Sequence, residues 1–246
     1  MSERTRPAIS VDIEDQRLPD PPLTGGGFGF PGPAGFPWVD TVATTQITTN
    51  ATSHTVGLPP TIPVGALLLM ILACDGSPTT CTATGWTSVT AGGSSANCSV
   101  TILYRIADGT EGATVTVTTS ASEQLTAWVG ILKDHHASAA PEGTSGGVGT
   151  AETQLTFPAA LTPSWGADDT LWFAIVVGDG SATAGITHLA QPLQYVYVYS
   201  LPNANTTTVS LAIAYRWLNA ASTTPTRFVQ STAEQYAHAI VAIRPA

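Results

Sequence analysis

Of the 246 residues, 43% are hydrophobic, enough to build a core, yet only 10% are charged, well below the ~25% usual for soluble domains. Thr, Ser, Asn, Gln and Gly must cover the surface, which suits β-sheet faces and a protein partly covered by copies of itself. The formal net charge is −9 and Lys133 is the single lysine, so the chain repels phosphate backbones and anionic lipid, and neither nucleic acid nor a membrane is an expected partner.

Residues 1–38 are read as an extended anchoring arm. Mixed charge in MSERTRPAISVDIEDQ is followed by LPDPPLTGGGFGFPGPAGFPW, where Pro and Gly are too dense for a helix interior or a central strand. Phe28, Phe30, Phe36 and Trp38 are the candidate anchors, because aromatics spaced along such a backbone can seat in pockets of a partner subunit. The start has no apolar segment of the secretory type, so synthesis in the cytoplasm is expected. The apolar run Ala66–Cys74 falls far short of the ~20 residues a membrane helix needs.

Residues 39–140 read as a first β-sandwich unit. Val42–Val56 is Thr-rich and loosely alternating. Ala66–Ala73 is a continuous apolar run, as expected of a strand buried on both faces, and Asp75–Gly76 supplies its turn. Gly85–Val89 is a short strand and Gly92–Asn97 a loop. Cys98–Ala107 alternates, and Asp108–Gly109 predicts a tight hairpin. Thr114–Thr118 has strict period two, and Leu125–Leu132 closes the unit. Residues 137–150, ASAAPEGTSGGVGT, are small and Gly-rich and form the best boundary in the chain.

Residues 141–246 repeat the plan as a second unit. Tyr104–Lys133 aligns without a gap on Tyr215–Arg244, placing Ser120 on Ser231, Glu123–Gln124 on Glu234–Gln235 and Lys133 on Arg244. Leu67–Ser77 (LLLMILACDGS) aligns on Leu171–Ser181 (LWFAIVVGDGS). Two blocks in the same order with nearly the same offset mark a duplicated unit of roughly 100 residues. Helical patterning is confined to Ser120–Thr126 and Ser231–Ala237, each long enough for one turn. The fold class is all-β, built from duplicated, jelly-roll-like β-sandwich units in tandem. Whether the repeats are separate or fused is open at this level.

No catalytic constellation emerges. There is no G-x-S-x-G elbow. Glu123 and Glu234 are carboxylates of the kind glycoside hydrolysis uses, but one per repeat points to a structural role such as holding a turn. His135–His136 beside Asp134 is a weak metal signal, since neighbours on a strand face opposite ways. The reading is no enzyme, no cofactor and no metal. Cys74, Cys81 and Cys98 have neither zinc nor disulfide-framework spacing, and spacing leaves a Cys74–Cys81 bridge open. Tyr195, Tyr197 and Tyr199 alternate, so they are expected to line one sheet face, either stacking on a glycan or packing at a subunit interface.

The segments PVGALLLMILACDGS, GWTSV and LYRIADGTEGATVTV in the first half, with LTPSWGADDTLWFAIVVGDGS, AYRWLNAAS and AIVAIRPA in the second, resemble a family of small β-rich proteins of tailed bacteriophages and prophage-like elements. The resemblance covers residues 40–246. It implies a structural protein on the virion surface, as capsid decoration, head spike or fibre, with major capsid or tail components as partners. Homo-oligomers, often trimers, are typical of such proteins. A tail-tip or tail-fibre adhesin that binds host-surface glycan is the alternative.

Overall fold

The computed structural model describes residues 32–76, 79–90, 92–179, 187–201 and 209–246. Its elements are all strands. The first repeat holds β1 (Trp38–Gly57), β2 (Leu67–Asp75), β3 (Cys81–Ala83), β4 (Thr87–Ser88), β5 (Gly93–Ser94), β6 (Cys98–Ile106) and β7 (Thr114–Lys133). The second holds β8 (Glu142–Thr156), β9 (Asp168–Asp179), β10 (His188–Ala190), β11 (Val196–Leu201), β12 (Val209–Ala220) and β13 (Arg227–Ile243).

Each repeat makes one antiparallel sheet. The first has the order β1-β7-β2-β6-β4, with β3 on β7 and β5 on β6. The second has the order β10-β13-β9-β12-β11, with β8 on β13. Tyr236 of β13 pairs with Val148 of β8 and Gly178 of β9, so β8 runs along the far edge of β13 as β1 runs along β7. The duplication seen in sequence is therefore a duplication of strand order.

The buried runs explain why the central strands sit where they do. Leu67–Cys74 in β2 is buried throughout, as is Thr170–Gly178 in β9. Alternate side chains go to different cores. Leu67, Leu69 and Ile71 join Leu171, Phe173, Ile175 and Ile213 in one cluster between the sheets. Met70 and Leu72 face the other way, into an outer cluster with Leu103, Val117 and Val129. Trp172, Ala174 and Val176 do the same beside Leu155, Phe228 and Tyr236. The repeats thus share a central core, and each adds an outer layer of its own. Two-sided burial needs continuous apolar runs rather than alternation.

The glycine-rich stretch at the boundary between the repeats is mostly strand, because β8 begins at Glu142. Its glycines make room for the first repeat. A Cβ on Gly147 would run into the Ser94 carbonyl, one on Gly93 into the Gly146 backbone, and one on Gly143 would lie 2.9 Å from Thr90. Close approach of two backbones needs residues without side chains. The passage between sheets takes place in residues 134–141, where His135 bridges to Pro245.

Three local expectations are corrected. Asp108–Gly109 does not close a hairpin, since β2 lies between β6 and β7. The turn is instead built by side chains: Glu111 accepts from the Asp108 and Gly109 N–H groups, and Arg105 pairs with Asp108 and Glu111. Ser120–Thr126 and Ser231–Ala237 are strand rather than helical turn, each lying at register shifts in β7 and β13 where the strand pair bends. Trp38 belongs to β1, not to an arm.

Candidate functional site

The most unusual chemistry lies at one end of the shared core. Asp75 ends β2 and Asp179 ends β9, at equivalent places in the two sheets. Each pairs with the first residue of the next long strand, Cys98 and Val209. Glu123 and Glu234 come in from the bends of β7 and β13, opposite Ala51 and Glu152. Gly76 turns the chain after Asp75 with φ 100°, and the Glu123 carboxylate occupies the space where a Cβ on Gly76 would stand. That position therefore needs glycine twice over, for its backbone angle and for the carboxylate above it.

Asp75, Asp179 and Glu123 each hold a proton more tightly than a free carboxyl does, through partial burial and, for Asp179 and Glu123, neighbouring negative charge. Burial, then the charges of Asp75 and Glu234, push Asp179 up to about 7. Burial raises Asp75, and burial and then Asp75 raise Glu123. Desolvation and like charge both disfavour a second negative charge. Among the described residues the four salt bridges lie elsewhere, at Arg105, Lys133 and Arg244. No group of three or more His, Cys, Asp or Glu there is arranged to hold a metal ion. The chemistry within reach is uptake of a proton near neutral pH, at a seam between two sheets.

Polar ties cross that seam. The Cys98 thiol donates to the Val177 carbonyl at 3.4 Å, and the Thr126 hydroxyl to the Val209 carbonyl at 3.4 Å. The Ala96 N–H donates to Gln235 Oε1 at 3.1 Å. The charge state of the carboxylates acts directly beside contacts that join the repeats.

The tyrosine row does not form a single face. Tyr195 precedes β11 and is buried in the outer cluster of the second sheet, with the Arg216 guanidinium 4.9 Å from its ring centre. Tyr199 packs half-buried against the shared core on the other side. A register shift between Tyr197 and Tyr199 switches faces, because one extra residue reverses the period-two alternation. The Tyr197 side chain lies outside the described residues.

Of the expected anchors, Phe28 and Phe30 also lie outside the described residues. Phe36 is half-buried in a turn closed by its N–H on the Pro33 carbonyl. Trp38 is held by its own chain. Its indole N–H donates to Asp134 at 2.9 Å, and Lys133, paired to Asp40, stands 5.4 Å from the ring centre. Pro37 accepts from the Trp217 indole of the second sheet at 2.9 Å.

The two neighbouring histidines are tied to backbone. His135 contacts the His136 and Gly65 carbonyls, and His136 Nδ1 accepts from Ser138 and Ala139. A shallow depression of about 250 Å³ lies beside them, lined by Pro63–Ala66 and Leu132–His135.

Glu123 and Glu234 stood out in the sequence, whereas Asp75 was read only as a turn residue and Asp179 only as part of the aligned block. A signal was present: an acid closes each buried run at the same place in both repeats. No family model matches the chain, and no curated protein and no solved structure matches it.

Proposed function

We propose that the protein is a non-enzymatic structural component of a bacteriophage virion surface, fixed to the particle through its N-terminal residues. One observation carries the attachment half of this reading: residues 32–38 are gripped by both repeats. Trp217 of the second sheet holds the Pro37 carbonyl, and its ring lies 2.7 Å from where a Cβ on Gly32 would stand. Trp38 then enters the first sheet under Asp134 and Lys133. A load on the preceding Pro/Gly-rich residues is delivered to the whole two-sheet body rather than to one strand end.

The body suits such a role. Its apolar faces are spent on internal cores, and its surface is weakly charged. Jelly-roll-like units are part of the same proposal, supported by long strands that bend at bulges and serve an inner and an outer layer. Major capsid or tail proteins are the proposed partners, and a homo-oligomer the proposed state.

Cryo-EM of particles with and without this protein tests the reading, together with particles carrying a chain that lacks residues 1–31. Missing density over the capsid, reproduced by the truncation, is expected. Missing density at the tail end would move the protein to adhesion. Identical particles would overturn the proposal.

A further inference from the structure

β2 and β3 both lie antiparallel on β7, on either side of its bend at Glu123, and at this corner two sulfurs meet. Cys74 of β2 lies opposite Leu125 of β7, and Cys81 of β3 lies opposite Thr119 of the same strand. Between those positions β7 carries the bend at Glu123. Both side chains therefore turn into the same outer cluster, where they are buried beside Leu72, Val117 and Leu125. The sulfur atoms lie 3.1 Å apart, about 1 Å beyond the length of a disulfide bond.

We propose that Cys74 and Cys81 form a reversible disulfide that closes this corner of the first repeat. The second repeat sharpens the point. There the equivalent places, opposite Tyr236 and Gln230 of β13, are taken by Gly178 and His188. The aligned positions of the second repeat carry no sulfur, so the pair is an addition to one repeat. Cys98 is not a competitor. Its sulfur contacts the Ser95 hydroxyl at 3.3 Å and the Val177 carbonyl at 3.4 Å.

In the folded state the two sulfurs polarise each other. The Cys74 thiol donates to Cys81, and the Thr101 hydroxyl adds a second bond, so the Cys81 thiolate is favoured against the opposing effect of burial. Cys74 is held in the thiol form by that bond to Cys81, by burial, and by the negative charges of Cys81, Glu123 and Asp75. Thiolate is the attacking species. One of the two sulfurs, as thiolate, attacks a low-molecular-weight disulfide, RSSR, forming a mixed disulfide and expelling RS⁻. The other cysteine then gives up its proton and its sulfur attacks the first cysteine's Sγ, expelling the second RS⁻. Two protein thiols are oxidised, one RSSR is reduced to two RSH, and the two protons go to the leaving thiolates. Both sulfurs are buried, so the exchange takes place while the corner is open, during folding or local unfolding.

The test uses the full chain, refolded in a glutathione buffer containing the disulfide form, against chain kept in a phosphine reductant. Each is unfolded and alkylated, then cleaved on the N-terminal side of Asp75 to separate the two cysteines. The oxidised sample is expected to take one label, on Cys98, and to keep the two fragments joined. Its Tm should exceed that of the reduced sample by about 5 °C, as closing a loop of this size implies. Cys98→Ser should keep the joined fragments and the Tm difference while losing the one label, and Cys81→Ser should abolish the join and the Tm difference. Three labels under both conditions, or fragments joined through Cys98, would overturn the proposal.

Discussion

The indole of Trp128 meets the ring of Phe173 edge-on, with centroids 6.1 Å apart and planes at 60°. One ring belongs to each repeat, and both are fully buried in the core between the sheets. Trp128 folds over Gly130, filling the space a Cβ there would need. At the aligned positions the second repeat has Ala239 and Val241. The large and small places have been exchanged so that two similar sheets interdigitate rather than collide.

Trp128→Ala should cost about 3–5 kcal/mol, the range for emptying a large aromatic site in a core. Trp128→Ala with Gly130→Val reproduces the second repeat's arrangement and should recover part of that loss. Denaturant titration of both variants checks this. A double variant no more stable than the single one would show that the swap does not govern packing.

Gly147 and Gly149 lie two residues apart in β8 with opposite surroundings. A Cβ on Gly147 meets the Ser94 carbonyl, whereas one on Gly149 meets nothing within 4 Å. Gly147→Ala should destabilise by about 1–3 kcal/mol, as overpacking does. Gly149→Ala should be neutral or stabilise by up to about 1 kcal/mol through the unfolded chain. Equal effects in a denaturation series would refute the close approach of β5 and β8.

Asp179 should weaken the fold as pH rises. Its proton is held more tightly in the folded state, at about 7, than at the ordinary value of 3.8. Stability associated with that proton is complete below the unfolded value and is lost as pH climbs through the folded one. Asp75 and Glu123, also raised, act in the same direction. Asp179→Asn should therefore have a higher Tm than the parent at pH 8, with the difference shrinking towards pH 4. A difference independent of pH would remove the carboxylate from the explanation.

The buried histidines act the other way. Burial pushes His188 and His238 down to about 4 from 6.5. His188 packs against Phe228 and His238 against Phe157, at 6.4 and 5.6 Å between ring centres. Their contribution is complete above pH 6.5 and is lost as pH falls towards 4. Between those values it opposes the Asp179 effect, so only the variant difference isolates the carboxylate. Imidazole proton shifts followed by NMR should show two of the five histidines titrating near 4. Titration of both near 6.5 would contradict their burial.

Much of the architecture was legible in the chain because burial leaves a mark on composition. Ala66–Ala73 announced two-sided burial, and the aligned blocks announced one strand order used twice. Face assignment was less secure. Tyr195 and Tyr199 share a face by simple alternation, and a single register shift separates them. The hairpin expected at Asp108–Gly109 failed for a related reason: a turn signal says where the chain reverses, not which strand lies beside it.

By itself the sequence determined the all-β class, the duplication and the central strands, since these depend on side-chain polarity and local period. Only the tertiary structure decided that the repeats share a core, that the glycines of β8 are contact surfaces, and that Asp75 faces Asp179 and Cys74 meets Cys81. Those relations join residues far apart along the chain, or separated by a bend. Packing brings them together, and no local pattern encodes the distance.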